Sequence, residues 1–457
     1  MEKIRKFLVS DLFSVLLILA SSVFVFTGNE IGGTILFAAL IGLVMVLTDD
    51  LLPALQIILL TTCFAIRCKH SFDDFMQFVW IAPPIAILIL SHFIIYRRKT
   101  EKFSPKNFTC FYGILFVSVA VTLGGLGIIT AKEYFSSTSL FYILMLGFAV
   151  LVVYAYMGST LRARENYAFS DKFAKVMVSI IFMLAICLAE EYISRWSELS
   201  GGFDILAFQW RNNASTMLML AMPFAFYLSA KKFGWFFVGI FTYVLILFTG
   251  SRGGMLFGLV ELGICFITMF ILDRKHRPYI GIIFGFSLVV AFFLRHSIID
   301  IVSYTTERLL DYDENKIRLG LYSRGIEDFL ANPLFGRGLG YMGNSDIHNN
   351  AQFTLCWYHC SPVQVIGSFG LFGVAAYVTL LFLRFKTLVK NPTFFNIILF
   401  VSYIGLELMS FVNPGIFVPF PYLFLVTIYF VIMEKCNTDD DRAVLKLMKN
   451  KKYGEKQ

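Results

Sequence analysis

The sequence predicts an all-α integral membrane protein with about fourteen (12–14) transmembrane helices and one large folded extracytoplasmic loop. Three observations carry that expectation. The chain of 457 residues is 58% hydrophobic, 17% aromatic and only 15% charged, whereas soluble domains carry roughly a quarter charged residues. Apolar runs such as Leu8–Phe26, Ile85–Tyr96, Leu140–Tyr156 and Trp235–Thr249 recur between short polar patches. Many approach the ~20 residues that cross a hydrocarbon core of about 30 Å. Finally, the net charge of +8 is spread over clusters between the apolar runs. That distribution belongs to membrane topology rather than to a nucleic-acid surface.

Lipid leaves backbone polar groups no outside partner, so the spanning runs must be helices or a closed barrel. The two-residue alternation of a membrane barrel is absent. The helices expected in order are 8–27, 32–48, 51–66, 78–96, 108–129, 139–158, 174–190, 213–230, 234–249, 254–272, 279–295, 362–383, 393–412 and 417–434. Lys3, Arg5 and Lys6 ahead of Leu8–Leu19 imitate a signal peptide, but the topology works better when this run stays as the first span. Of the 8 cysteines, Cys63, Cys110, Cys187 and Cys265 lie inside apolar runs and read as small buried hydrophobes.

With the N-terminus inside and one crossing per helix, 27 of the 39 Lys and Arg fall on the inner side and 12 on the outer. This is the bias of the positive-inside rule. The joint at Thr48-Asp49-Asp50 is its weakest point. Residues 1–436 then form one polytopic membrane domain, and 437–457 a cytoplasmic polar tail. Within the domain, 296–361 is an extracytoplasmic loop with short helices. With Arg295 at its edge, it carries Arg308, Lys316, Arg318, Arg324 and Arg337, and it also holds Glu307, Asp311, Asp313 and Glu314. Helical apolar spacing over Ile317–Leu330 and frequent aromatics point to a folded cap rather than a disordered segment.

Candidate chemistry gathers on the outer side. In Thr249-Gly250-Ser251-Arg252-Gly253-Gly254 the glycines allow close backbone approach. Arg252 offers five donors suited to a phosphate, although a snorkelling arginine beside a helix-packing glycine pair gives the same pattern. Arg318 and Tyr322 share a helix face ahead of Asn332-Pro333-Leu334-Phe335-Gly336-Arg337-Gly338-Leu339-Gly340. The Gly-rich stretch has no preceding strand and no Gly-Lys-Ser/Thr, so it reads as a structural turn rather than a nucleotide loop. Cys356, His359 and Cys360 would share one face of a helix and suit zinc, but no fourth ligand is close except His348. Glu261 and Glu407 are the clear acidic residues inside helices. That is sparse for an ion-coupled transporter, and no internal repeat is visible.

Together these residues resemble the O-antigen ligase/O-antigen polymerase superfamily of bacterial envelope glycosyltransferases. The family pattern is an SRGG-like element, an Arg-x-x-x-aromatic helix, an NPLFGxGLG stretch, and a histidine eleven residues before a GLLG-like helix start. Ser251–Gly254, Arg318 with Tyr322, Asn332–Gly340, and His359 with Gly370-Leu371-Phe372-Gly373 match in order and spacing. Phe208–Ala214, with Arg211 and Asn213, is similar to the family's Asn-containing segment before a helix. The family histidine is commonly followed by Asn, as in His348-Asn349, but the glycine spacing and Gln364 select His359 first and His348 second. The resemblance covers roughly the C-terminal half.

The resemblance implies transfer of a glycan from an undecaprenyl-pyrophosphate carrier to a sugar hydroxyl, without metal or cofactor, on the outer face of the bacterial cytoplasmic membrane. It implies His359, Arg252 and Arg318 as catalytic residues. Substrate binding would fall to Arg211, Asn213, Ser251, Tyr322, His348, Arg324 and Arg337. Its implied partners are the lipid-linked glycan, membrane lipid and a chain-length regulator protein, with no nucleic acid. A polymerase of surface polysaccharide is preferred. An O-antigen ligase acting on lipid A core or another acceptor, a lipid-linked oligosaccharide flippase, and a structural scaffold are the alternatives.

Overall fold

A computed structural model describes residues 2–67, 82–97, 101–130, 143–161, 169–199, 205–206, 208–293, 312–339, 358–413 and 415–435, with single positions 80, 140, 295 and 303. His348, Cys356 and the tail 437–457 lie outside the described residues. Among the described residues the secondary structure is helical, with no strand.

The N-terminal helices are α1 (Glu2–Leu8), α2 (Asp11–Thr27), α3 (Glu30–Leu47), α4 (Leu52–Ala65) and α5 (Ala82–Ile95). Next come α6 (Thr109–Thr130) and α7 (Val150–Thr160), the latter entered through a π-helical turn at Leu144–Ala149. The middle of the chain holds α8 (Phe169–Ser194), α9 (Arg211–Ser229), α10 (Gly234–Phe248), α11 (Arg252–Leu272) and α12 (Arg277–Phe293). Then follow α13 (Tyr312–Ala331), α14 (Ser361–Lys390), α15 (Phe394–Met409) and α16 (Phe424–Lys435). Several helices begin where a polar side chain accepts an orphan backbone N–H. Ser10 accepts from Phe13, Asn29 from Gly32, and Thr393 from Asn396.

Glu30–Leu47, Phe169–Ser194, Arg252–Leu272 and Ser361–Lys390 are long and apolar enough to cross a membrane, and several shorter apolar helices accompany them. Their outward faces are oily. Helix α12 exposes Tyr279, Ile282, Phe284, Phe286, Val289, Phe292 and Phe293. A surface of that kind is stable against lipid and not against water. The chain is a multi-pass membrane protein. At its centre stands α9, buried from Ala214 to Ser229 and packed against α8, α10, α11 and α15.

Two differences from the sequence reading have a common cause. Helix α14 runs to Lys390, seven residues past the expected end, and Arg384 is buried inside it instead of lying in an inner-side loop. Its guanidinium donates to the Tyr403 hydroxyl at 3.1 Å, lies 3.6 Å from a Glu407 oxygen, and covers the Tyr403 and Phe430 rings. A charge count along the chain places basic residues at helix ends; a cation with partners on α15 and α16 escapes it. Glu434 is likewise tied inward, to the Tyr154 hydroxyl, the Cys110 amide and Thr387. Helix α13 contains the expected Ile317–Leu330 helix and packs on α14.

Candidate active site

Three arginines from separate parts of the sequence line one small cleft. Arg211 and Asn212 come from the start of α9, and Arg252, Gly253, Leu256 and Phe257 from the first turns of α11. Arg318 comes from α13, and Val412 and Asn413 follow α15. The cleft holds about 70 Å³.

Local sequence explains how each arginine arrives there. Phe208 and Trp210 pack ring against ring, centroids 4.5 Å apart, and the Trp210 indole donates to Glu191 at 3.4 Å. Glu191 is itself bonded by Arg195 at 3.1 Å and lies 3.9 Å from Arg67. The segment is thereby pinned to the end of α8 just before Arg211 opens α9. At α11, Ser251 is the N-cap, accepting from the Gly254 amide at 3.2 Å. Side chains at the next glycines would not fit. A Cβ on Gly254 would lie 2.5 Å from Ser215 of α9, and one on Gly253 would lie 2.6 Å from Val412. The Ser-Arg-Gly-Gly pattern thus supplies a cap, a cation and two flat contacts that draw α9, α11 and the end of α15 together.

The first residues of both α9 and α11 line this cleft. Each helix N-terminus carries roughly half a positive charge from its aligned peptide dipoles. Two such ends and three guanidinium groups create a site suited to a polyanion, and the fork geometry of arginine favours phosphate oxygens. Leu256, Phe257 and Val412 give the same cleft an apolar wall.

Arg318 connects the cleft to a second group of residues. Tyr322, one turn along α13, lies within electrostatic reach of both Arg318 and Cys360. Its phenol is pushed above its usual range, chiefly by burial and further by the Cys360 thiol, while Arg318 opposes the shift. His359 precedes Cys360 and has φ +53°, the one positive φ outside glycine among the described residues. Helix α14 begins two residues later, with Pro362 in its first turn.

The remaining candidates fall around these groups. Asn213 accepts the Tyr422 hydroxyl, at 3.2 Å on its carbonyl and 3.3 Å on its side chain. Its neighbour Asn212 faces the cleft instead. Arg324 lies 3.4 Å from Glu327 on its own helix. Arg337 lies 3.6 Å from Asp328, and its amide donates to Gly367 O at 2.9 Å. His348 is outside the described residues. Sequence reasoning missed Asn212, Asn413 and Asp328. Asn212 sat inside the recognised Phe208–Ala214 segment, where only the helix register separates it from Asn213. Asn413 and Asp328 carry no pattern that marks them.

The segment after α13 is strapped across α14. Amides of Arg337 and Gly338 donate to Gly367 O and Ser368 O, both at 2.9 Å, and those of Leu371 and Phe372 donate to Pro333 O and Leu334 O. This exchange needs glycine at Gly336 (φ +69°) and at Gly370 (φ +62°), where α14 kinks. The strap explains why an Asn-Pro-Leu-Phe-Gly turn and a Gly-Leu-Phe-Gly helix occur in one chain.

Residues 236–378, from α10 into the middle of α14, match the model of the family described as O-antigen ligase. The matched segment contains Arg252, Arg318, Tyr322 and His359, while Arg211 precedes it. No curated protein matches the chain.

Proposed function

We propose, on the premise that residues 236–378 place this protein in the O-antigen polymerase/ligase superfamily, that it polymerises a surface polysaccharide. It transfers glycan from an undecaprenyl-pyrophosphate carrier to a sugar hydroxyl on the outer face of the bacterial cytoplasmic membrane. The observation that carries this reading is the convergence of Arg211, Arg252 and Arg318 with the N-termini of α9 and α11 in one cleft. In the topology that goes with it, fourteen helices cross the membrane and α13 belongs to the extracytoplasmic loop.

The chemistry follows from what such a transfer needs. The acceptor oxygen forms a bond to the anomeric carbon as the bond from that carbon to the pyrophosphate oxygen breaks. Negative charge grows on the leaving pyrophosphate, so fixed cations in a water-poor cleft lower the barrier most. Arg211, Arg252 and Arg318 bind it, with the apolar wall turned to the lipid chain. His359 orients the acceptor hydroxyl and takes its proton.

The description of the matched family favours a second reading, an O-antigen ligase, with the same donor chemistry and a lipid A core or other acceptor. One experiment separates these readings from transport. The purified protein is reconstituted in liposomes with a lipid-linked oligosaccharide repeat, with and without a lipid A core acceptor. Longer lipid-linked products in the absence of core establish a polymerase. A single transfer that requires core establishes a ligase. Translocation without a new bond overturns both.

A further inference from the structure

We propose that Asp328 and Tyr358 are a positioning pair that holds His359 in register with Arg318 and Tyr322; this rests on the role given to His359 above. The Tyr358 hydroxyl donates to Asp328 Oδ2 at 2.5 Å, and both residues are buried, with 0% and 3% of their surfaces exposed. Asp328 is thus a carboxyl removed from water, with Arg337 Nε 3.6 Å from its other oxygen. Burying such a group is costly unless it is hydrogen-bonded and paired, and Tyr358 and Arg337 supply both partners. Asp328 is not among the residues that line the arginine cleft; the role assigned to it is in what it fixes.

The ring of Tyr358 sits in a slot made by two glycines. A Cβ on Gly325 of α13 would come 3.2 Å from the ring, and one on Gly367 of α14 would come 2.9 Å from it. The backbone is held as well. The Tyr358 amide donates to Gln364 Oε1 at 3.1 Å, and Gln364 Nε2 donates to Ser368 at 2.8 Å. Immediately after this clamp comes His359 at φ +53°. A left-handed residue other than glycine persists where its surroundings over-determine it.

The far side of the pair completes the case. Arg318, Tyr322 and Gly325 recur at helical spacing on α13, and Asp328 is one turn beyond Gly325. The bond from Asp328 to Tyr358 therefore joins the helix that carries the phosphate-binding arginine to the turn that carries the proton acceptor. Neither Asp328 nor Tyr358 touches substrate in this arrangement. They set the distance between two groups that do.

The test uses the full-length protein in liposomes, with kcat and KM for the lipid-linked donor measured beside thermal melting. Tyr358→Phe and Asp328→Ala should each lower kcat by ~10- to 100-fold, the scale of a misplaced reacting group, with KM changed less than about twofold. Their double variant should be no worse than either alone. Asp328→Asn keeps an acceptor oxygen for the tyrosine and should recover kcat to within about threefold of wild type. An equal loss in Asp328→Asn and Asp328→Ala overturns the pairing, as does full kcat in Tyr358→Phe while His359→Ala is inactive. If Tyr358→Phe does not fold, the Asn and Ala variants of Asp328 decide alone. Wild-type kcat in His359→Ala overturns the underlying role of His359, and with it this proposal.

Discussion

The Ser251 hydroxyl donates to Asn212 Oδ1 at 2.8 Å, so the cap of α11 is tied directly to the first turn of α9. Arg252 follows one of these residues and Arg211 precedes the other. This hydrogen bond, with the close contact of Gly254 on Ser215, therefore sets the spacing of two cations in the cleft. Asn212→Ala leaves the Ser251 cap intact but removes the tie, along with a side chain that lines the cleft. Ser251→Ala removes cap and tie, and a lost cap costs about 1 kcal/mol. The expected order of donor KM is wild type, then Asn212→Ala, then Ser251→Ala, each step a few-fold, measured on the reconstituted protein. Equal KM in all three would show that the tie has no bearing on donor binding.

The arginines themselves should not tolerate lysine. A charge-assisted hydrogen bond contributes ~1.5–3 kcal/mol, and a guanidinium makes two in parallel where lysine makes one. Arg252→Lys and Arg318→Lys should each lose about 10-fold in kcat/KM, and the alanine variants about 100-fold or more. Chain-length distribution in cells at matched protein levels is the readout. Lysine variants with wild-type polymer would show that charge alone suffices.

Hydropathy made most helices legible, because a spanning segment must be apolar whatever it packs against. Ordered motifs made Arg211, Arg252 and Arg318 legible as candidates. Their meeting in one cleft was not, since it depends on Gly253 against Val412 and Gly254 against Ser215, contacts between positions far apart in the chain. Asp328 was invisible for a related reason. On an amphipathic helix rich in Asp, Glu and Arg, one more carboxylate reads as solvated, and only Tyr358, thirty residues on, makes it a buried acceptor.

Arg384 offers a stability test away from the site. Removing one partner of a fully buried ion pair costs about 3–5 kcal/mol, and less where, as here, Glu407 keeps 21% of its side chain exposed. Replacing both with apolar or neutral groups of similar size costs far less still. Arg384→Met should lower the melting temperature in detergent sharply, and Arg384→Met with Glu407→Gln should recover most of the loss. A double variant as unstable as the single would place the role of Arg384 in its stacking on Tyr403 and Phe430 instead.

Asp328 gives a pH dependence with a definite sign. Burial holds its carboxyl above the ordinary 3.8, aided by Glu327, while the Tyr358 hydroxyl, Arg337 and Arg324 pull the other way. A carboxyl raised on folding contributes its stability in full below the unfolded value and loses it as pH rises through the folded one. Asparagine carries no such penalty. The melting temperature of wild type should therefore fall relative to Asp328→Asn as pH rises from about 4 towards 7, and the gap should close again on acidification. A gap that does not vary with pH would mean that folding does not raise the Asp328 carboxyl.

The strap across α14 predicts which glycines accept a methyl group. At Gly370 the backbone is left-handed, with φ +62°, and a Cβ would lie 2.6 Å from Leu334 C and Pro333 O. Both objections are to backbone, which cannot rotate away, so Gly370→Ala must break the exchange between Pro333–Leu334 and Leu371–Phe372. Gly263 in α11 has ordinary helical geometry and nothing within 4 Å of its Cβ position. There alanine should be neutral or stabilising by up to about 1 kcal/mol through helix propensity. Gly370→Ala is expected to lower the melting temperature and expose the 332–338 segment to protease, with Gly263→Ala unchanged in both. Protection of that segment in Gly370→Ala would mean that the strap is held by the Arg337 and Gly338 bonds alone, and that the kink is not what docks it.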